Sequence, residues 1–224
     1  MKSVRVSVTD GDVMDACAGF RLIQKTRIIA ILRGPLLGQE IDVAEALVSG
    51  GITAMEVSTV TQGYAEIIRN LCVRFSGRAA IGIGTVMTIA ELQAGADAGA
   101  CFVVSPITDP DIIRETRRQG LASLPGAFTP TEAMLAVGSG AHAVKIFPAS
   151  TLGPSYIRAL RGPFPNLQLV PTGGVHLHNL KQYIAAGSIA VGIGTELVGK
   201  SEFEQFDPAA LAEKARLYAE TARE

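Results

Sequence analysis

The sequence predicts an α/β protein that folds as a (β/α)8 TIM barrel, in a single domain over residues 1–224 with an extra N-terminal helix. Three observations predict this fold. Eight short apolar segments of strand type alternate with longer segments of helical periodicity. Four of the joints between a helix and the next strand share one pattern, and neither a linker nor a change in composition divides the chain. The chain length is at the small end of the range for this fold.

The eight strands are expected, in chain order, at residues 28–32, 53–58, 79–84, 101–105, 121–124, 143–147, 167–170 and 190–194. The stretches between them have the periodicity of amphipathic helices, as in 40–50 and 64–75. One more helix is expected before the first strand, near 10–24, and another at the end of the chain, near 208–222.

The repeated joint consists of a small residue, a glycine and another small residue, followed by a strand about two residues later. It occurs within 49–57, 98–105, 139–147 and 186–194. Such a glycine suits the left-handed position just after a helix. The alternative is a doubly wound open sheet, but no G-x-G-x-x-G follows the first strand. The glycine-rich stretch at 82–86 lacks the remaining spacing.

Charge and composition exclude several classes of partner. The chain has 20 basic and 21 acidic residues without a run of like charge, so neither nucleic acid nor an anionic membrane is an expected partner. Its apolar runs are far shorter than the roughly 20 residues of a membrane helix, and its first 20 residues lack the apolar core of a secretory signal. Cys17, Cys72 and Cys101 are odd in number and widely spaced, which indicates free thiols in a reducing cytoplasm.

In such a barrel, function is found at the C-terminal ends of the strands. Polar residues at these ends come from seven different strands and are expected to converge on one mouth: Arg33, Glu56, Ser58, Thr85, Ser105, Lys145, Thr172 and Thr195.

Strand alternation singles out two of these residues, Glu56 and Lys145. Lys145 lies on the opposite face of its strand from Val144 and Ile146. Glu56 likewise lies on the opposite face of its strand from the large apolar side chains. If the aliphatic side chains face the helices, both charged groups point into the barrel. The pair could be a structural ion pair. The functional alternative is a lysine nucleophile, freed by desolvation to attack a ketone, with a carboxylate as its acid/base partner.

Glycine clusters follow the last two strands, at 171–175 and 192–195. Loops at this place in TIM barrels often bind phosphate through backbone amides. The candidates are Gly173, Gly174, Gly194 and Thr195, although tight turns alone would also explain the glycines.

Other residues are candidates for the rest of a pocket. Arg33 could bind a carboxylate in forked geometry, or could be a solvated loop charge. Thr85 could donate a hydroxyl to the same group, while Pro106 and Phe147 could form walls. The H-x-H at 176–178 lacks a third ligand at suitable spacing, so no metal site is expected.

Taken together, these residues resemble the 2-keto-3-deoxy-6-phosphogluconate (KDPG) / 4-hydroxy-2-oxoglutarate (KHG) aldolases, a family of class I enzymes. The resemblance covers about residues 20–200 and rests on nine motifs in the family's order: AILR (30–33), MEVS (55–58), GIGTV (82–86), VVSP (103–106), LPG (124–126), VKIFPAS (144–150), GPFP (162–165), PTGGV (171–175) and VGIGTEL (191–197).

The resemblance implies an aldehyde-lyase with Lys145 as the Schiff-base lysine and Glu56 as the general acid/base. It places Thr85 and Pro106 at the pyruvate pocket, and the glycines of 171–175 with Thr195 at the substrate phosphate. It also implies a homotrimer without a metal or organic cofactor.

One position departs from the family pattern. Many members carry an arginine shortly after the glutamate to bind the carboxylate, but Val60 stands there in this chain. Other members carry an arginine after the first strand, so the contact is assigned to Arg33. Substrate preference therefore stays open between KDPG, KHG and the galactonate epimer (KDPGal). The stretch 145–160 also resembles the branch of the family that cleaves KDPGal. Another phosphate-binding barrel enzyme and a non-catalytic sugar-phosphate-binding barrel are the remaining alternatives.

Overall fold

The computed structural model describes residues 14–36, 38–199, 203 and 205–224. Its strands are β1 Ile28–Leu32, β2 Ala54–Ser58, β3 Ala80–Gly84, β4 Phe102–Val104, β5 Ala122–Leu124, β6 Gly126–Ala127, β7 Val144–Ile146, β8 Leu169–Pro171 and β9 Val191–Ile193. Its helices are α1 Ala16–Thr26, α2 Glu40–Ser49, α3 Tyr64–Arg74, α4 Ile89–Asp97, α5 Pro110–Arg118, α6 Pro130–Gly138, α7 Ala149–Arg161, α8 Leu177–Ala185 and α9 Pro208–Arg223. Every expected strand is present, within two residues at either end.

The strands close into a barrel. One parallel sheet has the order β5-β4-β3-β2-β1-β9, and a second has the order β6-β7-β8. A parallel bridge between Thr172 and Gly192 joins β8 to β9. β5 and β6 are two parts of one stave, interrupted at Pro125, which has no backbone N–H to donate. The predicted (β/α)8 barrel is therefore confirmed.

Strand alternation sorts the side chains as expected. Ala54 and Ala143 pack inside the barrel with other small or apolar residues. Met55 and Val144 pack on the outside against the helices. Because a strand has a two-residue period, the inward face of β2 also carries Glu56 and that of β7 carries Lys145.

Helix α1 covers the N-terminal end of the barrel. Its buried Phe20 and Ile23 pack against the inward-facing residues of the strands. The helix begins at Ala16, later than the expected 10–24, because the Asp15 side chain accepts a hydrogen bond from the Ala18 N–H and caps it. Residues 10–13 of the expected helix lie outside the described residues. With this end covered, the polar strand ends lie at the opposite, open end.

The repeated joints have the predicted backbone conformation. Gly51, Gly99, Gly140 and Gly187 all have positive φ angles, between 94° and 106°. A residue with a Cβ is disfavoured in this region, whereas glycine adopts it readily. The glycines therefore turn each helix into the next strand. None of the helices in the described residues is long and apolar enough to span a bilayer.

Candidate active site

A cavity of about 250 Å³ opens at the C-terminal ends of the strands. It brings together the ten residues to which the sequence assigned a role in the site: Arg33, Glu56, Thr85, Pro106, Lys145, Phe147, Gly173, Gly174, Gly194 and Thr195. A larger cavity, of about 330 Å³, is lined by residues such as Met134, His142 and Phe164, and contains none of them. Size therefore does not identify the site; the convergence of ten residues from separate segments does.

Lys145 and Glu56 come from opposite sides of the barrel. β2 and β7 are separated by three staves in either direction around the eight-stave barrel. The interior of such a barrel is just wide enough for side chains to fill it. Two long side chains from opposed staves therefore reach the same central space, and both line the cavity.

Burial favours the neutral forms of the Lys145 amine and the Glu56 carboxyl. Lys145 is 5% exposed and Glu56 is 2% exposed. Desolvation lowers the pKa of the Lys145 amine, and the nearby Glu56 charge only partly opposes the shift. Desolvation raises the pKa of the Glu56 carboxyl, with Lys145 opposing. The two pKa values thus move toward each other, which suits a nucleophilic amine beside a group that both donates and accepts protons.

Neighbouring residues leave room for these two groups. A Cβ on Gly84 would lie 2.6 Å from Glu56 Oε1, so a side chain at this position would displace the carboxyl. The Lys145 Nζ lies 4.9 Å from the centroid of the Phe147 ring, within the range of a cation–π contact. Within the described residues, neither Lys145 nor Glu56 makes a side-chain hydrogen bond, so both are available to a ligand.

Two residues of the cavity wall are the groups expected to bind a carboxylate. Arg33 follows β1 and is exposed at the rim. Thr85 follows β3 in the left-handed region, at φ 62°, a conformation that costs of order 1–3 kcal/mol for a residue that is not glycine. Its Oγ1 lies 2.8 Å from Ser58 Oγ. Val60 is 61% exposed and does not line the cavity, so the residue at the position of the family arginine makes no contact here.

The two glycine clusters form another part of the cavity wall. Gly173 and Gly174 have consecutive positive φ angles of 90° and 75°. Their N–H groups donate to no acceptor in the described part of the chain, and α8 begins three residues later, at Leu177. Successive free N–H groups beside a helix N-terminus favour an anion. Glu196 is exposed and also lines this part of the cavity.

Sequence reasoning missed or misplaced several residues. Ser58 and Thr172 were expected at the mouth without a role, and both line the cavity. Ser105 was expected to join them and does not: its hydroxyl turns into the β4–α5 loop and donates to the Ile107 carbonyl. Glu196 was missed because it lies beyond the strand, where the two-residue alternation no longer sets side-chain direction.

The remaining cysteines and histidines lie elsewhere. Burial raises the pKa of the Cys72 and Cys101 thiols to about 12, which keeps them protonated and unreactive. Cys17 is exposed and free. The rings of His176 and His178 are 6.0 Å apart. In the described residues, no three His, Cys, Asp or Glu side chains are grouped so that they could hold a metal ion.

Comparisons with known proteins identify the family of this chain. The family described as KDPG and KHG aldolase matches residues 21–213. A probable 2-dehydro-3-deoxy-6-phosphogalactonate aldolase of Rhizobium meliloti is 39% identical over 76% of this chain and 81% of its own length. A 2-dehydro-3-deoxy-phosphogluconate aldolase of Treponema pallidum is 36% identical over 74% and 79%.

Solved structures show the same fold. A native KDPGal structure has a TM-score of 0.82 and 31% identity, covering 88% of this chain and 94% of its own. The KDPG aldolase of Legionella pneumophila, with pyruvate captured as a covalent carbinolamine, has a TM-score of 0.81 and 26% identity over 87% and 95%. The chain therefore belongs to the KDPG and KHG aldolase family of aldehyde-lyases.

Proposed function

We propose that this protein cleaves a 2-keto-3-deoxy-6-phospho sugar acid, 4-hydroxy-2-oxoglutarate, or both, through a Schiff base on Lys145. The observation that carries the proposal is the buried Lys145 amine, which shares a cavity at the barrel mouth with the buried Glu56 carboxyl. A lysine with a lowered pKa supplies the neutral amine that attacks a ketone. The carbinolamine captured in the Legionella relative supports the same chemistry in this fold.

The first half of the reaction forms the iminium. The Lys145 amine attacks the C2 carbonyl carbon, and loss of water from the carbinolamine leaves a C=N bond to the lysine. Glu56, directly or through a water, supplies and removes the protons that these steps exchange. Its raised pKa suits this role because the carboxyl holds a proton more readily than an exposed glutamate does.

The second half breaks the C3–C4 bond. Glu56 takes the proton of the C4 hydroxyl, the bond electrons move into the iminium, and an aldehyde leaves while an enamine stays on Lys145. Protonation of the enamine at C3 gives the pyruvate iminium, which water hydrolyses. The aldehyde is glyceraldehyde 3-phosphate from a phosphorylated sugar acid, and glyoxylate from 4-hydroxy-2-oxoglutarate.

Different parts of the cavity wall hold the two ends of the substrate. Arg33 and Thr85 bind the carboxylate, while Pro106 and Phe147 form the walls around the keto acid. The free N–H groups of the glycine loop, with Gly194 and Thr195, bind the phosphate. The relatives that are similar to this chain include both phosphogluconate and phosphogalactonate aldolases, so KDPGal is the alternative main substrate.

Incubation with pyruvate followed by borohydride tests the function. We expect one covalent adduct per chain, located on Lys145 by peptide mass spectrometry, and cleavage of at least one of KDPG, KDPGal and 4-hydroxy-2-oxoglutarate. Lys145→Met should abolish both, whereas Lys181→Met, at an exposed lysine, should change neither. Glu56→Gln should still form the adduct while cleavage slows by about 10²–10⁴-fold. An adduct without cleavage of any of the three acids would instead support a non-catalytic sugar-phosphate-binding barrel.

The trapping rate should also report the lowered pKa of Lys145. Only the neutral amine attacks, so the initial rate of adduct formation rises with pH and levels off above the pKa of the folded-state amine. Because burial lowers that pKa, the midpoint should lie below the ordinary 10.5. A rate that keeps rising through pH 10.5 would contradict a desolvated lysine. Peptide mapping at each pH confines the measurement to Lys145.

Two adjacent substitutions should act in opposite directions on phosphorylated substrates. Thr195→Val keeps the shape but removes a hydroxyl donor, so KM should rise roughly tenfold, as for a lost hydrogen bond to a charged group. Glu196→Gln removes a repulsive charge at the rim, so KM should fall about two- to fivefold at low salt and less at high salt. Both effects should be smaller for 4-hydroxy-2-oxoglutarate, which has a distal carboxylate on C4 but no phosphate. Equal changes on both substrates would place the phosphate elsewhere.

A homotrimer is also part of the proposal. The resemblance implies it, and one relative of known structure is a cage built by fusing symmetric oligomeric domains. In the single chain, apolar side chains are exposed on consecutive loops around one side of the mouth, among them Met87, Ile107 and Phe128. Light scattering of the intact protein should give three times the 23.4 kDa chain mass. A monomer mass would contradict the trimer.

The compartment follows from the thiols. Cys17, Cys72 and Cys101 are all free. Free thiols persist in a reducing compartment, so the proposed location is the cytoplasm. Cell fractionation with a cytoplasmic marker enzyme would check it.

A further inference from the structure

Thr85 lies in the cavity in a conformation that its own side chain disfavours. Its φ of 62° falls in the left-handed region, where glycine would be accommodated without strain. A branched side chain persists there only when its surroundings fix it. Contacts with neighbouring groups must therefore offset the cost of this conformation.

Ser58 and Thr59, at the end of β2, contact the side chain and the backbone of Thr85. The Thr59 N–H donates to the Gly84 carbonyl at 2.9 Å, and Thr59 Oγ1 donates to the Thr85 carbonyl at 3.0 Å. Ser58 Oγ lies 2.8 Å from Thr85 Oγ1. Ser58 and Gly84 are the last register pair of β2 and β3, so these contacts continue the sheet by one residue. They join the loop residue Thr85 to the end of this strand pair.

The hydrogen bond between the two hydroxyls has two alternative directions. Each hydroxyl carries one hydrogen, so only one of the pair donates to the other. Ser58 is 1% exposed, whereas Thr85 is partly exposed. If Ser58 donates, the hydrogen of the more accessible Thr85 is left for a ligand, and the donated bond strengthens it as a donor. If Thr85 donated, its oxygen would only repel an anion.

We propose that Ser58 and Thr59 are positioning residues for Thr85. Thr59 fixes the strained backbone. Ser58 donates to Thr85 Oγ1 and thereby directs the Thr85 hydroxyl hydrogen at the carboxylate of the keto acid. The inference rests on the aldolase function proposed above, because that function supplies the carboxylate.

Pyruvate is the probe that isolates this contact, since it has the carboxylate and no distal end. The rate of borohydride trapping on Lys145 is measured against pyruvate concentration. For Ser58→Ala, the half-saturating concentration should rise about two- to tenfold, as for a neutral hydrogen bond. The maximal trapping rate should stay within about twofold, because a uniform loss of binding leaves the reacting groups in place. Thr59→Val should act in the same direction.

A double-mutant cycle separates positioning from direct contact. Thr85→Gly removes the hydroxyl and relieves the backbone, so it should fold and should raise the half-saturating concentration. In that background, Ser58→Ala should have no further effect. Independent, multiplying effects would show that Ser58 contacts the substrate directly and would overturn the proposal. A lower maximal rate with unchanged half-saturation would overturn it as well.

Thr116→Val is the matched control for loss of a buried hydroxyl. Its Oγ1 donates to the Ile112 carbonyl at 2.7 Å inside α5, away from the cavity. It should lower the melting temperature without changing the half-saturating concentration. Failure of the aldolase function would look different: the unaltered chain would form no adduct at any pyruvate concentration, which would also overturn this inference, or it would form the adduct but cleave none of the three acids.

Discussion

The burial of an amine and a carboxyl group in one cavity of an otherwise apolar barrel is the constraint on which the site depends. An isolated buried charge costs several kcal/mol, so neither Lys145 nor Glu56 would be tolerated alone in its ionised form. Burial lowers the pKa of the lysine and raises that of the glutamate. A proton then moves between the two at smaller cost than between an ordinary lysine and an ordinary glutamate. A reaction that needs a free amine and a shuttling carboxyl uses this convergence of pKa values.

The packing around the pair maintains that condition. Helix α1 covers the far end of the barrel with Phe20 and Ile23 and keeps its interior apolar. Gly84 leaves the space that Glu56 Oε1 occupies, and Gly192 does the same for the Thr172 side chain. These two glycines thus make room for the polar side chains of the neighbouring segments. The local weakening that glycine brings to a strand is offset here by the room it gives to the reacting groups.

The sequence predicted the parts of the site that regular structure controls. Glu56 and Lys145 were placed inward by strand alternation, which has a fixed period and holds wherever a strand is buried. Ser105 was expected at the mouth only because it is a polar residue at a strand end; it lies just beyond β4, where alternation no longer applies, and its hydroxyl donates to the Ile107 carbonyl. Glu196 gave no signal, since a loop side chain has no periodic direction. The left-handed Thr85 was also invisible, because the contacts that hold it join residues about 26 positions apart.

The two residues proposed to react lie on strands, whereas most residues proposed to bind the rest of the substrate lie on loops. The amine and the carboxyl lie on opposed staves, and the distance between these staves is set by closure of the barrel. The groups proposed to bind the distal end of the substrate lie on loops after β8 and β9, which also carry Glu196. The relatives of this chain include aldolases named for each of two epimers. These epimers differ at C4, the carbon whose hydroxyl Glu56 is proposed to deprotonate, so we expect the choice between them to be made beside Glu56. We expect the loops, in contrast, to distinguish substrates with a phosphate from those without one.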